Sequence, residues 1–211
     1  MQYKFIAIEG NIGAGKTTLA TMLQQHYRAR LMLEAFAENP FLSKFYDDPK
    51  QYAFPLELFF LAERYKQYKE TFASSDIFST ATISDYLFHK CLLFARINLP
   101  EEEYALYQRF FEIIQRQIIQ PDLLIYLHVP VQQLKENIRN RNRSYEQKIQ
   151  DTYLMNIQEV YLQYIKQQEI KTLMIDVGKA DFVNAPEHLQ AIIHALDHEY
   201  EAGLHSILLP E

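Results

Sequence analysis

The residues with the clearest chemical spacing in this chain lie in one short segment near its start, GNIGAGKTT. Gly10 and Gly15 stand five positions apart and are followed by Lys16 and Thr17, a pattern typical of loops that bind a polyphosphate. Glycine accepts positive φ and has no Cβ, so successive backbone N–H groups can surround phosphate oxygens. We expect Lys16 to meet the outer phosphates and the Thr17 hydroxyl to meet a magnesium ion. The predicted phosphate-binding residues are Gly10, Asn11, Ile12, Gly13, Ala14, Gly15, Lys16, Thr17 and Thr18.

The segments on either side of this loop support the same prediction. The apolar run Phe5–Ile8 is typical of a parallel strand that is buried on both faces, and a helix is expected to begin near Gly15. The positive end of that helix would add to the attraction for phosphate. The alternative is an ordinary glycine-rich turn. Three of the chain's five glycines fall in this loop, which favours the phosphate site.

Strand-like and helix-like segments alternate along the chain. Parallel neighbours need crossover connections, so this alternation predicts an α/β fold with a five-stranded, parallel, doubly wound sheet and flanking helices. A length of 211 residues and a hydrophobic content of 48% fit a single domain, residues 1–211. A long helix is expected from an Asp48 cap to about Phe72. Strands are predicted at Phe5–Ile8, Arg30–Phe36, Asp76–Ser84, Asp122–Val129 and Thr172–Val177.

Two carboxylates stand at or near the ends of predicted strands. Glu34 lies in the second strand-like run, and Asp85 directly follows the third. Ligands of open α/β sheets bind at the carboxyl ends of the strands, so both residues should lie beside the phosphate loop. One carboxylate can attract magnesium while the other accepts a proton from an attacking hydroxyl. Glu38 competes with Glu34 for the second role. The alternative for either residue is a solvated strand end.

Three arginines alternate near the end of a later predicted helix: Arg139, Arg141 and Arg143. Arginines at a helix C-terminus can simply complement the helix dipole. In a loop that closes over a nucleotide, they would instead neutralise charge on the phosphoryl group in transfer, for which the planar guanidinium is well suited. We therefore predict an arginine-rich lid in which at least one of the three is functional.

The composition excludes several classes of function. The net charge is −6 and no cluster of basic residues forms a nucleic-acid footprint, so a nucleic-acid polymer is not an expected partner. No apolar run reaches the roughly 18 residues of a membrane helix, and no signal-like segment precedes the first strand. The single cysteine, Cys91, excludes an internal disulfide. A cytoplasmic location is expected.

Together these motifs resemble the deoxynucleoside kinase family, enzymes of the P-loop NTPase type that phosphorylate the 5′-hydroxyl of deoxynucleosides. The resemblance rests on GNIGAGKTT, on the block Asn39–Tyr65, and on RNRSYEQ at Arg141–Gln147, and it extends over nearly the whole chain. It implies roles for residues that bind the substrate. These are Glu34 as general base, Asp85 as the acidic residue of the family's Asp-Arg-Ser motif, Tyr46 and Glu146 at the sugar 3′-hydroxyl, and Arg64 near the base and the 5′ end.

The chain departs from the family pattern in three places. Where the family has Asp-Arg-Ser, this chain has Asp85-Tyr86-Leu87, so the arginine expected near the 5′-oxygen is absent and Arg64 or a lid arginine would have to replace it. Where the family has a glutamine that reads the base, this chain has Glu57. Cys91 stands where an acidic residue is common.

Glu57 bears on which base is preferred. An ionised carboxylate can only accept hydrogen bonds, so it would favour guanine, which offers N1–H and the N2 amino group. Adenine would require a protonated Glu57, or an Arg64 partner and another donor. The alternative is that Glu57 forms a salt bridge with Arg64 or Lys66 on a solvated helix face.

The sequence thus predicts a cytoplasmic purine deoxynucleoside kinase of the bacterial deoxyadenosine/deoxyguanosine type, with ATP and Mg²⁺. Glu34 would orient or deprotonate the 5′-hydroxyl, and Lys16, Arg141 and Arg143 would complete the catalytic set. Two rivals stand: a nucleoside monophosphate kinase resembling thymidylate kinase, and a nucleotide-binding regulator without turnover. The family resemblance, with the aromatic helix Tyr107–Ile118, predicts a homodimer.

Overall fold

The computed structural model describes residues 2–36, 39–73, 81–178 and 180–210. Within these ranges the chain forms one parallel sheet with the strand order β2-β3-β1-β4-β5-β6. The predicted parallel, doubly wound architecture is confirmed, but the sheet has six strands and not five. The strands are β1 (Phe5–Gly10), β2 (Arg30–Met32), β3 (Thr82–Ser84), β4 (Leu123–His128), β5 (Lys171–Asp176) and β6 (Gly203–Ile207).

The missed strand, β6, lies at the edge of the sheet beside β5. Its five residues, GLHSI, alternate between half-buried and exposed positions, and only two of them are large and apolar. An edge strand that is only partly buried lacks the continuous apolar run that is typical of the inner strands. The two strands on the other edge, β2 and β3, are shorter than the runs that predicted them. Residues 76–80 of the third run lie outside the described part of the chain.

Eight α-helices are found in the described residues, and they flank the sheet. The Asp48 carboxylate accepts the Gln51 N–H at 3.3 Å, which confirms the predicted cap of the longest helix. The helices are α1 (Lys16–Tyr27), α2 (Leu42–Asp47), α3 (Pro49–Ala73), α4 (Lys90–Asn98), α5 (Glu101–Gln115), α6 (Val131–Arg141), α7 (Asp151–Gln167) and α8 (Pro186–Leu196), with a 3₁₀ turn at Ser144–Lys148.

Strand β1 is the centre of the fold. All six of its residues are buried, and it pairs with β3 on one side and β4 on the other. The loop that follows it therefore starts from the most rigid part of the sheet. A second core lies between α3, α4 and α5, where Phe88 and Phe111 stack with ring centroids 5.4 Å apart. This helical layer holds side chains over the ends of β2 and β3.

One face of the helical layer is apolar and exposed. Leu106, Phe110 and Ile113 follow one stripe of α5, with Leu58 of α3 also exposed. Exposed apolar stripes of this kind commonly mark interaction surfaces. None of the described helices is both long and apolar enough to cross a membrane.

Candidate active site

A cavity of about 840 Å³, counted to its open mouth, lies at the carboxyl ends of β1, β2 and β3. Its walls come from the loop after β1, the segments that follow β2 and β3, the helices α2, α3 and α4, the start of α7, and the segment Arg141–Glu146. This is the sheet edge at which the sequence predicted the ligand site.

The phosphate loop, residues 10–17, has the backbone conformation that its glycines predicted. Gly13 has φ 84°, and a Cβ there would lie 3.0 Å from the carbonyl oxygen of Leu134 and 3.2 Å from Ile138. At Gly10 a Cβ would lie 2.7 Å from the Leu127 carbonyl oxygen. Both positions accept glycine only. Helix α1 begins at Lys16, and the preceding Gly15 provides no side-chain cap, so the first N–H groups of the helix are available to an anion.

Lys16 lies over this loop. Its ammonium donates to the carbonyl oxygens of Gly10 and Asn11, both at 2.9 Å. Burial, together with the neighbouring Lys90 ammonium, lowers the pKa of Lys16 to about 8. An ammonium with nearby positive charge gains from the approach of an anion, which fits the role predicted for Lys16.

Asp85 joins the phosphate loop to the end of β2. One carboxylate oxygen accepts the Thr17 hydroxyl at 2.5 Å, and the other accepts the backbone N–H of Glu34 at 2.8 Å. The structure thus brings together Thr17, Glu34 and Asp85, which lie far apart in sequence. No group of three or more histidine, cysteine, aspartate or glutamate side chains forms a metal site in the described residues. The Thr17 and Asp85 oxygens fit Mg²⁺, which binds few protein oxygens and shares the phosphates of its nucleotide.

Glu34 is held between two cations. Its Oε1 accepts two N–H groups of Arg64, from Nε at 2.9 Å and from Nη2, while Oε2 accepts the Lys90 ammonium at 2.8 Å. Burial alone would raise the pKa of Glu34, but the attraction of Lys90 and Arg64 outweighs it and holds the pKa well below the ordinary value. Glu34 is therefore an ionised hydrogen-bond acceptor at any physiological pH.

Arg64 is fixed on every side. Its third donor, Nη1, meets the Cys91 sulfur at 3.0 Å, and its guanidinium lies 4.8 Å from the Phe60 ring centroid and 5.9 Å from that of Tyr86. The hydroxyl of Tyr86, the residue that follows Asp85, points away from the cavity and donates to Gln67 at 2.8 Å. Among the described residues, the buried cations paired with Glu34 are Arg64 and Lys90, and neither is the residue that follows Asp85.

Glu57 is buried and not on a solvated helix face, which excludes the salt bridge with Lys66; that lysine instead lies near Glu63. Its Oε1 accepts the Asn98 side-chain amide at 2.7 Å, whereas its Oε2 is buried and has no hydrogen-bond partner in the described part of the chain. Asn98 in turn accepts the Tyr153 hydroxyl at 3.0 Å. Burial raises the pKa of Glu57 to about 7, against the opposing effects of Asn98 and nearby cations.

The arginine-rich lid closes the other side of the cavity. Glu146 is buried, and it accepts Arg141 Nη2 at 2.5 Å and Arg143 Nη1 at 3.3 Å. Tyr145 of the same turn stacks on Tyr46 of α2, with ring centroids 5.9 Å apart. Burial and the Glu146 carboxylate raise the pKa of Tyr46 above its ordinary value, so its hydroxyl stays a donor.

Some predicted residues lie away from this cavity. Arg139 is exposed on α6 and is not among the residues that line it. Asn11 turns its side chain inward, where the amide donates to the Leu154 carbonyl oxygen at 2.8 Å. Glu38 lies outside the described residues.

The sequence reasoning missed Lys90 and Asn98, which both line the cavity from α4. Each is a polar residue in a short helix, KCLLFARIN, in which Arg96 is the one other charged residue. That contrast was the available signal, because a buried lysine or asparagine needs a polar partner.

Glu9, the last residue before the phosphate loop, is fully buried beneath the site. Its carboxylate accepts three donors: the Gly10 N–H at 3.2 Å, the Leu87 N–H at 2.7 Å and the Tyr161 hydroxyl at 2.8 Å. Glu9 therefore links the phosphate loop to the turn after β3 and to α7.

The geometry is that of a P-loop kinase, since a glycine loop for phosphate and a carboxylate for a hydroxyl acceptor meet at one sheet edge. The chain belongs to the deoxynucleoside kinase family, whose family model matches residues 6–200. It is a phosphotransferase whose acceptor is the 5′-hydroxyl of a deoxynucleoside.

Relatives with assigned names agree with this family. The chain is 38% identical over 187 residues to a deoxyguanosine kinase of Bacillus subtilis, a match that covers 85% of this chain and 89% of the relative. It is 32% identical over 199 residues to a deoxyadenosine kinase of Dictyostelium discoideum, covering 93% and 79%. Among solved structures, a deoxyadenosine kinase from M. mycoides with bound dATP superposes with a TM-score of 0.80 over 92% of this chain and 100% of the other. That match is 24% identical and establishes the fold.

Proposed function

We propose that this kinase transfers the γ-phosphate of ATP, with Mg²⁺, to purine deoxynucleosides and prefers deoxyguanosine. The observation that carries the base preference is Glu57, whose buried Oε2 has no partner among the described residues. An unpaired buried oxygen costs stability, so a ligand that supplies a donor is favoured at this point.

Guanine is the base that suits an ionised Glu57. Its N1–H and N2 amino group are adjacent donors, and a carboxylate accepts both. Adenine offers one donor beside the N1 acceptor, so it requires the protonated carboxyl. With its pKa near 7, Glu57 can take either form near neutral pH. The relative at 38% identity bears the name deoxyguanosine kinase, which supports the same preference.

Asn98 and Tyr153 direct Glu57 toward the base. Because the Tyr153 hydroxyl donates to the Asn98 carbonyl oxygen, the amide N–H groups of Asn98 face Glu57. Asn98 then uses one acceptor site of Oε1, and it leaves Oε2 and the second site of Oε1 for the two donors of the base. The two residues act as positioning residues for base recognition.

The sugar is bound on the lid side of the cavity. We assign Tyr46 and Glu146 to its 3′-hydroxyl, as the family resemblance implies. The two arginines that hold Glu146 fix the direction of its carboxylate, and Tyr46 lies close enough for the Glu146 charge to affect its pKa.

The chemistry depends on positioning and charge. ATP with Mg²⁺ supplies the phosphoryl group, and Thr17 and Asp85 offer oxygens suited to the metal. Lys16 and the N–H groups of the phosphate loop bind phosphate oxygens. Glu34 accepts the hydrogen bond of the 5′-hydroxyl, orients its lone pair for in-line attack, and receives its proton.

Lid arginines add charge compensation. Arg141 and Arg143 line the cavity and have further N–H donors beyond those given to Glu146. These donors are suited to the oxygens of the transferring group.

The test is a panel of four deoxynucleosides and the corresponding monophosphates with labelled ATP. We expect deoxyguanosine to give the highest kcat/KM at neutral or alkaline pH and the monophosphates to give no product. Phosphorylation of a monophosphate alone would indicate the thymidylate kinase-like activity, and no product from any acceptor would indicate a regulator.

Variants then test the base assignment. Glu57→Gln should change the ranking of the bases, because the amide donates as well as accepts. Glu63→Gln is the matched control, since Glu63 lies on the same helix outside the cavity. If both variants keep the parental ranking, Glu57 does not read the base.

We also propose that the kinase is a cytoplasmic homodimer. The exposed stripe of Leu106, Phe110 and Ile113 on α5 supports association of two copies through helices, and Leu58 of α3 is also exposed. The single cysteine is buried, as suits a reducing compartment.

A further inference from the structure

Lys90 is a buried cation in the cavity that the proposed mechanism leaves without a role. It is the first residue of α4, and its side chain is only 9% exposed. Its ammonium lies 2.8 Å from Glu34 Oε2 and 5.3 Å from the centroid of the Phe94 ring. Lysine is rarely buried to this extent unless it is paired, and the partner of Lys90 is Glu34.

The two cations on Glu34 are held very differently. Arg64 has three donors engaged and lies against two aromatic rings, so it cannot move without breaking all of these contacts. Lys90 has a flexible four-carbon stem and a compact charge, and its ammonium donates to Glu34 alone among the bonds described. Lys90 is the cation that can change partners.

Proton transfer to Glu34 favours a change of partner at Oε2. Arg64 donates two N–H groups to Oε1, so Oε2 is the oxygen with acceptor capacity left for the proton of the acceptor hydroxyl. Lys90 donates one N–H to Oε2, and this bond stabilises the ionised carboxylate, so Oε2 takes a proton more readily once Lys90 has left it.

The Lys90 ammonium shares its cavity with the phosphate loop. Lys90 and Lys16 line the same cavity, and the Lys90 charge is close enough to lower the pKa of Lys16. Phosphoryl oxygens that arrive over the phosphate loop would therefore meet a second ammonium, on the side of the acceptor hydroxyl.

We propose that Lys90 is a catalytic residue that exchanges partners during phosphoryl transfer, leaving Glu34 Oε2 to the 5′-hydroxyl and donating to the oxygens of the phosphoryl group in transfer. This inference rests on the proposed function. In the step, the 5′-oxygen forms a bond to the γ-phosphorus as the bond to the β,γ-bridging oxygen breaks. The hydroxyl proton passes to Glu34 Oε2, the departing electron pair remains on ADP, and Lys90 keeps its three protons throughout. A charge that moves to the developing transition state lowers its energy more than that of the bound substrate.

The experiment compares Lys90→Met with the parent and with Lys66→Met, an exposed lysine on α3. The first readout is binding of ADP alone, and of ADP with aluminium fluoride and deoxyguanosine, by calorimetry. Aluminium fluoride imitates the transferring phosphoryl group. We expect Lys90→Met to bind ADP as the parent does but to bind the fluoride complex about a hundredfold more weakly, the usual effect of one lost transition-state donor. Lys66→Met should match the parent in both.

The second readout separates kcat from KM. The proposal requires kcat for deoxyguanosine to fall about a hundredfold in Lys90→Met with little change in KM. Lys90→Arg, which retains the charge, should recover part of kcat and part of the fluoride affinity, and it serves as the second variant if methionine impairs folding. A structural role that only neutralises Glu34 would instead weaken ADP and fluoride complexes alike, or neither. Parental fluoride affinity in folded Lys90→Met overturns the assignment. Failure of the proposed function itself would appear in the parent, as a lack of deoxyguanosine turnover.

Discussion

The choice between guanine and adenine should depend on pH, because the two bases require different protonation states of Glu57. Guanine needs the ionised carboxylate and adenine needs the protonated carboxyl. The carboxyl is buried, and the pKa is raised to about 7. A change of pH across neutrality therefore changes the selectivity of one protein without any substitution.

The size of the effect follows from this pKa. Near pH 6 roughly one Glu57 in ten is ionised, and near pH 8 roughly nine in ten are, so the ratio of ionised to protonated protein rises about a hundredfold. The ratio of kcat/KM for deoxyguanosine to that for deoxyadenosine should rise by up to the same factor. The groups around Glu57 set where the change occurs. Asn98, Arg64 and Lys90 favour the ionised form, while burial and Glu34 favour the protonated form.

The assay is direct competition of the two nucleosides for a limiting amount of enzyme at a series of pH values, with products resolved by chromatography. Competition gives the ratio of specificity constants, so any pH dependence of the chemical step that both substrates share cancels. Glu57→Gln should give a flat ratio. Asn98→Ala removes a donor that favours the ionised form, so the rise should move to higher pH.

In the parent, the ratio of kcat/KM for deoxyguanosine to that for deoxyadenosine should not stay within about twofold from about pH 6 to pH 8. A ratio that does so, or one that falls as pH rises, would refute the proposal that Glu57 ionisation selects the base. The same rise in Glu57→Gln would show that another group titrates.

Four further results are expected. Lys16→Ala should lower turnover by several orders of magnitude with an unchanged circular dichroism spectrum, because Lys16 serves phosphates and not the core; near-normal turnover would remove it from the phosphate site. Glu34→Gln should lower kcat about a hundredfold or more with little change in ATP affinity, as measured by steady-state kinetics and calorimetry. Glu57→Gln should be as stable as the parent near pH 4.5 and more stable near pH 8 by about 3 kcal/mol in urea unfolding, since a carboxyl whose folded pKa is raised from 4.5 to about 7 loses stability as pH rises through that interval. Phe110→Asp on the exposed stripe of α5 should convert a dimer to a monomer in sedimentation experiments without loss of helix content, whereas a parent that is already monomeric would contradict the homodimer.

The sequence identified the parts of the fold that depend on short-range rules. The spacing of Gly10, Gly15 and Lys16 predicted the loop because few other sequences permit that backbone. The Asp48 cap could be predicted for the same reason, since a helix cap depends only on residues of its own helix. The carboxyl-end rule then placed Glu34 and Asp85 at one edge, where they do lie.

Long-range contacts could not be predicted from the sequence in the same way. Asn98 meets Glu57 across a separation of 41 residues, and Lys90 meets Glu34 across 56, so neither pairing follows from local spacing. The burial of Glu57 depends on α4 and α5, which pack against α3, and the pattern of α3 alone cannot reveal this packing. Edge strand β6 was missed because its side chains are half solvated and its apolar run is short.

The three donors on Glu9 restrict how this position can vary. An aspartate would be shorter by one methylene and could not span the same donors, while a glutamine would set an N–H against the N–H groups or hydroxyl that point at it. Neither aspartate nor glutamine is therefore expected to replace Glu9. Since Glu9 links the phosphate loop to the turn after β3, substitutions that adapt the site to other substrates are expected in α3, α4 and the lid and not at its floor.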